Sequence, residues 1–165
     1  MRKLMIVTAL LLFAGIAFGQ TSKTATVDIE AEEVALNEIM DNLFSAAKDG
    51  DQTLFVSLLT EDALFCGTDP SEFHNKQHFV DLSKQDSNDP VPEFKSIGDR
   101  KIKIASDGNS AIIVTQIMVA WSPKIPIRVV YHFVKTNDNW MILFGNVAFI
   151  PKNEDIQKLN EAIVD

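Results

Sequence analysis

Ile127-Arg128-Val129-Val130-Tyr131-His132-Phe133-Val134-Lys135, then Asn137-Asp138-Asn139, then Trp140-Met141-Ile142-Leu143-Phe144-Gly145-Asn146-Val147-Ala148-Phe149-Ile150, is the stretch that decides the fold class. Two runs rich in β-branched and aromatic residues flank three turn formers, which is the pattern of a β-hairpin. Pro151 ends the second run, and Asn153 can cap a terminal helix over about 153–164 with Ile156, Leu159 and Ile163 inward. Toward the N-terminus, Pro123 and Pro126 mark an irregular connection, and Ala111 to Trp121 is another β-rich run. Asp107-Gly108 is a hairpin signal, preceded by the alternating Ile97, Ile102 and Ile104 between Phe94 and Ala105.

The first half has a different period. From Ile29 to Lys48, Leu36, Met40, Leu43, Phe44 and Ala47 recur at helical spacing, with Asp28, Glu30, Glu32 and Glu33 at the positive end of the macrodipole. Gly50 stops this helix, and Asp51 can cap a short second one carrying Leu54, Phe55, Leu58 and Leu59. A short strand from Ala63 to Cys66 follows, then a turn-rich segment and a third helix over 75–85 with Phe79, Val80 and Leu82. The segment 86–92, with two prolines, is a loop. Helices first and long antiparallel strands afterwards spell α+β, with helices packed on one face of a single sheet.

The chain has 165 residues, 46% of them hydrophobic, enough for one self-sufficient core. Residues 1–19 read differently: Arg2 and Lys3, an apolar run from Leu4 to Phe18, and small residues in Ala17-Phe18-Gly19 have the layout of a cleavable signal peptide. An uncleaved anchor is the alternative. Residues 20–28 read as a flexible leader, so the domain spans 29–165 and the mature protein is expected to be periplasmic or secreted. Removing Arg2 and Lys3 takes the formal charge from −8 to −10. That acidity disfavours nucleic acid and, after cleavage, anionic membrane surfaces as partners. The one cysteine, Cys66, leaves no intramolecular disulfide and reads as a buried small hydrophobe rather than a nucleophile.

Glu61-Asp62-Ala63-Leu64-Phe65-Cys66-Gly67-Thr68-Asp69-Pro70-Ser71-Glu72-Phe73 resembles the D-A-x-x-x-G-T-D-x-x-E stretch of SnoaL-like domains, in the nuclear transport factor 2-like superfamily. Lys48-Asp49-Gly50-Asp51 after the first helix is similar to that family's x-x-G-D start, and the Arg128–Phe133 and Asn139–Ile142 strands to its closing hairpin. The resemblance covers about residues 30–150. It implies a curved sheet wrapped as a cone around about three helices, a pocket at the open end, and frequent homodimers. It leaves the activity open, because the family holds cyclases, isomerases, dehydratases, hydrolases and proteins that only bind.

Enzymes on such a fold need an acid or base inside the cone. Strand alternation sets Val129, Tyr131 and Phe133 with Met141, Leu143, Gly145, Val147 and Phe149 on the cone side. Arg128, Val130 and His132 with Trp140, Ile142, Phe144 and Asn146 then face outward. Tyr131 is the one hydrogen-bonding side chain of the inner set. A single β-bulge would exchange the faces and bring in His132 and Asn146. Asp69 is the best acidic catalytic candidate, although hydrogen bonding to turn amides is the stronger reading for an aspartate before proline. His74 and His78 are spaced for one helix face but read as rim residues, and no metal or cofactor is expected. Tyr131, Thr115, Trp121 and Cys66 are the candidate ligand contacts.

Three functions remain open on these residues. The favoured one is a module that binds a small apolar or amphipathic molecule without catalysis. A proton-transfer enzyme (isomerase, cyclase or hydratase) would use Asp69 or His132 as base and Tyr131 as donor to an oxyanion. A protein-interaction subunit would use the outer sheet face, through Val130, Ile142 and Phe144.

Overall fold

A computed structural model describes residues 27–85 and 93–163. The expected signal peptide, nearly all of the expected leader and the expected loop over 86–92 lie outside the described residues. Four helices are present among the described residues: α1 (Ile29–Lys48), α2 (Thr53–Ser57), α3 (Lys76–Leu82) and α4 (Ile156–Ala162). The strands are β1 (Leu59–Cys66), β2 (Phe73–Asn75), β3 (Phe94–Ser96), β4 (Lys101–Ile104), β5 (Ser110–Val119), β6 (Ser122–Thr136) and β7 (Asn139–Phe149). They form one curved, unclosed sheet in the order β2-β1-β7-β6-β5-β3, with β4 also on β5. Only β1 and β7 run parallel; the other pairs are antiparallel. The fold is α+β, as the change of period implies.

The hairpin at the centre forms because Asn137 and Asp138 accept left-handed backbone, with φ of 50° and 63°, which suits the twist of the strands they join. Pro123 and Pro126 fall in a stretch of β6 with no register partner on β5 or β7, so the missing N–H groups cost no ladder bond. Strand β1 begins four residues earlier than the apolar run Ala63–Cys66 suggests, because Leu59 already pairs with β7.

Between β6 and β7 the register steps from His132 opposite Phe144 to Phe133 opposite Ile142, leaving Leu143 as an extra residue. This bulge corrects the simple alternation in half of β7. Trp140 and Ile142, expected outside, are buried in the core, whereas Met141 and Leu143 turn to the outer face beside Val134 and Thr136. His132 stays outside, because the bulge is on β7 and leaves the phase of β6 unbroken.

Helix α1 packs Leu36, Met40 and Leu43 onto the concave face, where Phe133, Ile113 and Ile142 are fully buried. Two polar clasps hold it there. Arg100 donates to the Asn37 side chain (2.8 Å) and to Asp41 (2.9 Å). Near the other end, Glu32 accepts from Lys135 and from the Trp140 indole (2.8 Å). The Glu32 carboxyl is held below the ordinary glutamate range, first by the Lys135 hydrogen bond, against the cost of burial, and then by Trp140. A depressed folded-state value means stability present above the unfolded glutamate pKa and lost as pH falls through the folded one. Glu32→Gln should therefore cost roughly 1 kcal/mol at neutral pH, since a charged hydrogen bond in a half-buried pair is lost. The variant should also flatten the stability profile below about pH 5. Urea denaturation at pH 7 and at pH 3 checks both expectations.

Helix α4 departs from the sequence expectation. Ile156 is 42% and Ile163 72% exposed, and the helix packs mainly on the 3-10 turn Asn153–Asp155 before it. Helical spacing identifies an apolar edge, not a surface that receives it. The concave side is already taken by α1, α2 and α3, which pack Leu36, Phe55 and Phe79 onto it.

Candidate functional site

The helices do not fill the cone completely. A cavity of about 350 Å³ opens between the concave sheet face and the helix ends. From the sheet come Phe94 of β3, Ile117 of β5, Val129 and Tyr131 of β6, and Val147 of β7. From the helices come Leu43, Phe44 and Ala47 of α1, Phe55 of α2, and Phe79 and Leu82 of α3. These are the inward positions of each element's own period, so the apolar lining follows from the alternation in β6 and the helical spacing in α1.

Ring packing shapes one wall. Phe55, Phe65 and Phe79 meet edge to face with centroids 4.9 to 5.2 Å apart, and Tyr131 lies 6.3 Å from Phe65. Phe65 reaches this position only because its partner on β7 is Gly145: a Cβ there would lie 2.1 Å from the Phe65 ring. At the other side Phe44 and Phe94 meet nearly perpendicular at 5.5 Å.

The polar content is small. Burial among these rings pushes the Tyr131 phenol up to about 12, so it is a neutral hydroxyl at any ordinary pH. Its hydroxyl makes no hydrogen bond among the described residues. At the mouth, in the turn between α1 and α2, stand Asp51 and Gln52. Asp51 accepts from the Thr53 N–H (2.8 Å) and is held below its ordinary value by Thr53, but it is not the cap the sequence suggests: the N-cap position of α2 is Gln52, without a side-chain cap bond. No histidine, lysine or arginine is in the described lining.

Of the candidate catalytic and ligand-contact residues, Tyr131 alone lines this cavity. Thr115 faces inward at 4% exposure, beside Val129 on the neighbouring strand, but not at the cavity wall. Trp121 is 59% exposed at the β5–β6 turn, edge-on to Phe149. Cys66 sits half-buried on β1, in the phase opposite to the buried Ala63 and Phe65, between Phe73 and Asn146.

The two candidate bases stand elsewhere. His132 lies on the outer sheet face, its Nε2 2.9 Å from the Ser110 hydroxyl. Asp69 is exposed and accepts from the Ser71 N–H (2.8 Å) and hydroxyl, bonds that hold its carboxyl below the ordinary value. The same turn is closed by Glu72, which accepts from the Asp69 N–H (3.0 Å). The family-like G-T-D-x-x-E stretch is thus a self-bonded turn. His74 and His78 stack with ring centroids 3.9 Å apart, but His74 belongs to β2 and not to the α3 helix.

Sequence reasoning overlooked Asp51 and Gln52 as site residues. Asp51 carries a capping signal so strong that its second property, a position at the end of α1 facing the open cone, passes unnoticed. The Gly50-Asp51 pair in the family-like start was the available signal.

A family model described as SnoaL-like domain matches residues 36–149. No curated protein matches the chain. Among solved structures, an NTF2-like protein of unknown function from Shewanella baltica superposes with a TM-score of 0.58 at 17% identity, covering 77% of this chain and 99% of its own. A domain of unknown function with a cystatin-like fold from Nostoc punctiforme gives 0.66 at 15% identity, covering 81% and 88%. A candidate ketosteroid isomerase from Parabacteroides distasonis gives 0.51 at 14% identity, covering 68% and 85%. At these identities the likeness is one of fold.

Proposed function

The chain belongs to the SnoaL-like domain family, and from that premise we propose that it binds a small apolar or amphipathic molecule in the cone cavity without transforming it. The observation that carries this reading is the lining itself: aliphatic and aromatic side chains, one neutral phenol, and a single carboxylate at the mouth. A volume of about 350 Å³ suits a compact one- or two-ring molecule, at the lower end of ordinary ligand sites. Proton abstraction at neutral pH needs a base with a raised or near-neutral pKa. Asp51 has the opposite shift, while Asp69 and His132 are engaged outside the cavity. The signal-peptide pattern of residues 1–19 supports a role in the periplasm or beyond. Exposed Leu64 and Ile112 on the outer sheet face favour association as a homodimer.

Calorimetric titration with 1-naphthalenemethanol tests the reading. At about 0.5 kcal/mol for each of about 12 non-hydrogen atoms, a Kd of roughly 10–100 µM is expected, with one site per chain. The heat-capacity change should be negative, as apolar burial requires. Absence of saturable heat up to the solubility limit would count against the cavity as a binding site.

A further inference from the structure

The geometry points to a cationic ligand: a molecule with an apolar, preferably aromatic, body carrying a protonated amine that meets Asp51 at the mouth of the cone. This inference rests on the binding reading above and narrows its ligand class. Asp51 is the one ionised side chain in the described lining, and it accepts the Thr53 N–H through Oδ1. The carboxylate is exposed at the mouth, where a guest can meet it, with Gln52 beside it in the lining.

Two further features of the mouth carry the same sign. Helix α1, 20 residues long, ends here, so the negative end of its macrodipole lies against the cavity through Ala47. Phe44, Phe55, Phe79 and Phe94 line the same cavity, and the faces of such rings attract cations. The rim already uses that attraction within the chain: Lys48 Nζ stands 5.8 Å from the Phe94 centroid and Arg100 5.7 Å from that of Phe44. Both cations lie outside the described lining, and among the described residues no ion pair reaches Asp51.

An anionic guest is the competing class, because Lys48 is within reach of the rim and would favour a carboxylate head. The test therefore holds the apolar body constant and changes the head. Calorimetry compares 1-naphthylmethylamine, 1-naphthalenemethanol and 1-naphthylacetate on the wild-type chain and on Asp51→Asn. Asparagine keeps an acceptor for the Thr53 N–H while removing the charge.

The expected order on the wild type is amine over alcohol by roughly fivefold to tenfold, with the acid weakest. The order should shrink toward equality in Asp51→Asn and on raising the salt to about 0.5 M, where screening acts within a few ångströms. Equal binding of amine and alcohol, or preference for the acid, overturns the cationic class and leaves the cavity reading standing, because the alcohol still binds. Failure of all three on the wild type removes the cavity reading and this inference with it. The wild-type order and its salt dependence decide the matter even where Asp51→Asn folds poorly.

Discussion

Gly145→Ala should lower the stability of the protein by about 1–3 kcal/mol, a drop in Tm on the order of 5–10 °C, although it adds a single methyl group. The reason is the absence of room. A Cβ at Gly145 would lie 2.1 Å from Cε1 and 2.3 Å from Cδ1 of Phe65. Gly145 cannot retreat, since its strand is paired with β6 at Tyr131 and with β1 at Phe65 itself. Phe65 cannot retreat either: it is 5% exposed and wedged against Phe55, Phe79 and Tyr131. Its ring must be driven toward the cavity, so probe affinity should fall together with stability. Phe65→Leu in the same chain should recover part of the loss, because the two changes share one contact and are not additive. Thermal unfolding of the two single variants and the double variant reads the coupling. A Tm within about 2 °C of wild type for Gly145→Ala would mean that the Phe65–Gly145 contact is not the packing constraint described.

Val147→Trp should have the opposite signature, abolishing binding while sparing the fold. Val147 is half-buried, lines the cavity, and faces Val129 across the β6–β7 ladder. An indole at this position has about 350 Å³ of unfilled space before it, so it can extend inward without displacing core atoms. Filling a void restores dispersion contacts that its lining lacks. The Tm should stay level or rise, while affinity for 1-naphthalenemethanol should fall by more than about tenfold because the ligand and the new ring compete for one volume. Calorimetry and thermal unfolding on the same sample separate a blocked site from a damaged fold. Undiminished binding by the well-folded variant would put the probe somewhere other than the cone.

Both variants depend on features that differ in how plainly the sequence displays them. The β6 strand was legible to its phase: Val129, Tyr131 and Phe133 point inward as alternation requires, and the Asn137-Asp138 turn fixes where the strand reverses. The α1 face was equally legible, from Leu36 to Ala47. The β7 strand was legible only up to its bulge. Trp140-Met141-Ile142-Leu143-Phe144 is apolar in both phases, so nothing in the pattern marks Leu143 as the extra residue. Hydrophobic alternation needs contrast, and a strand apolar on both faces supplies none.

The site shows a similar division. Tyr131 was visible because it is the polar exception in an apolar phase. Asp51 was visible as a cap and invisible as the carboxylate of the mouth, because its neighbours there, Leu82 on α3 and Phe94 on β3, are more than thirty residues away in the chain. Asp69 was conspicuous by its family-like motif, yet its hydrogen bonds stay within residues 69–72. Trp121 illustrates the limit of residue type as a guide: a large aromatic next to a turn ends up mostly in solvent, against Phe149.

The central claim is that the cone holds a small molecule, and native mass spectrometry of the chain isolated from cells that make it tests this most directly. The expected spectrum shows wild-type protein with a discrete added mass, released on denaturation and missing from Val147→Trp. A wild-type chain that carries no added mass and takes up none from saturating 1-naphthalenemethanol, or the same added mass on both chains, would contradict it.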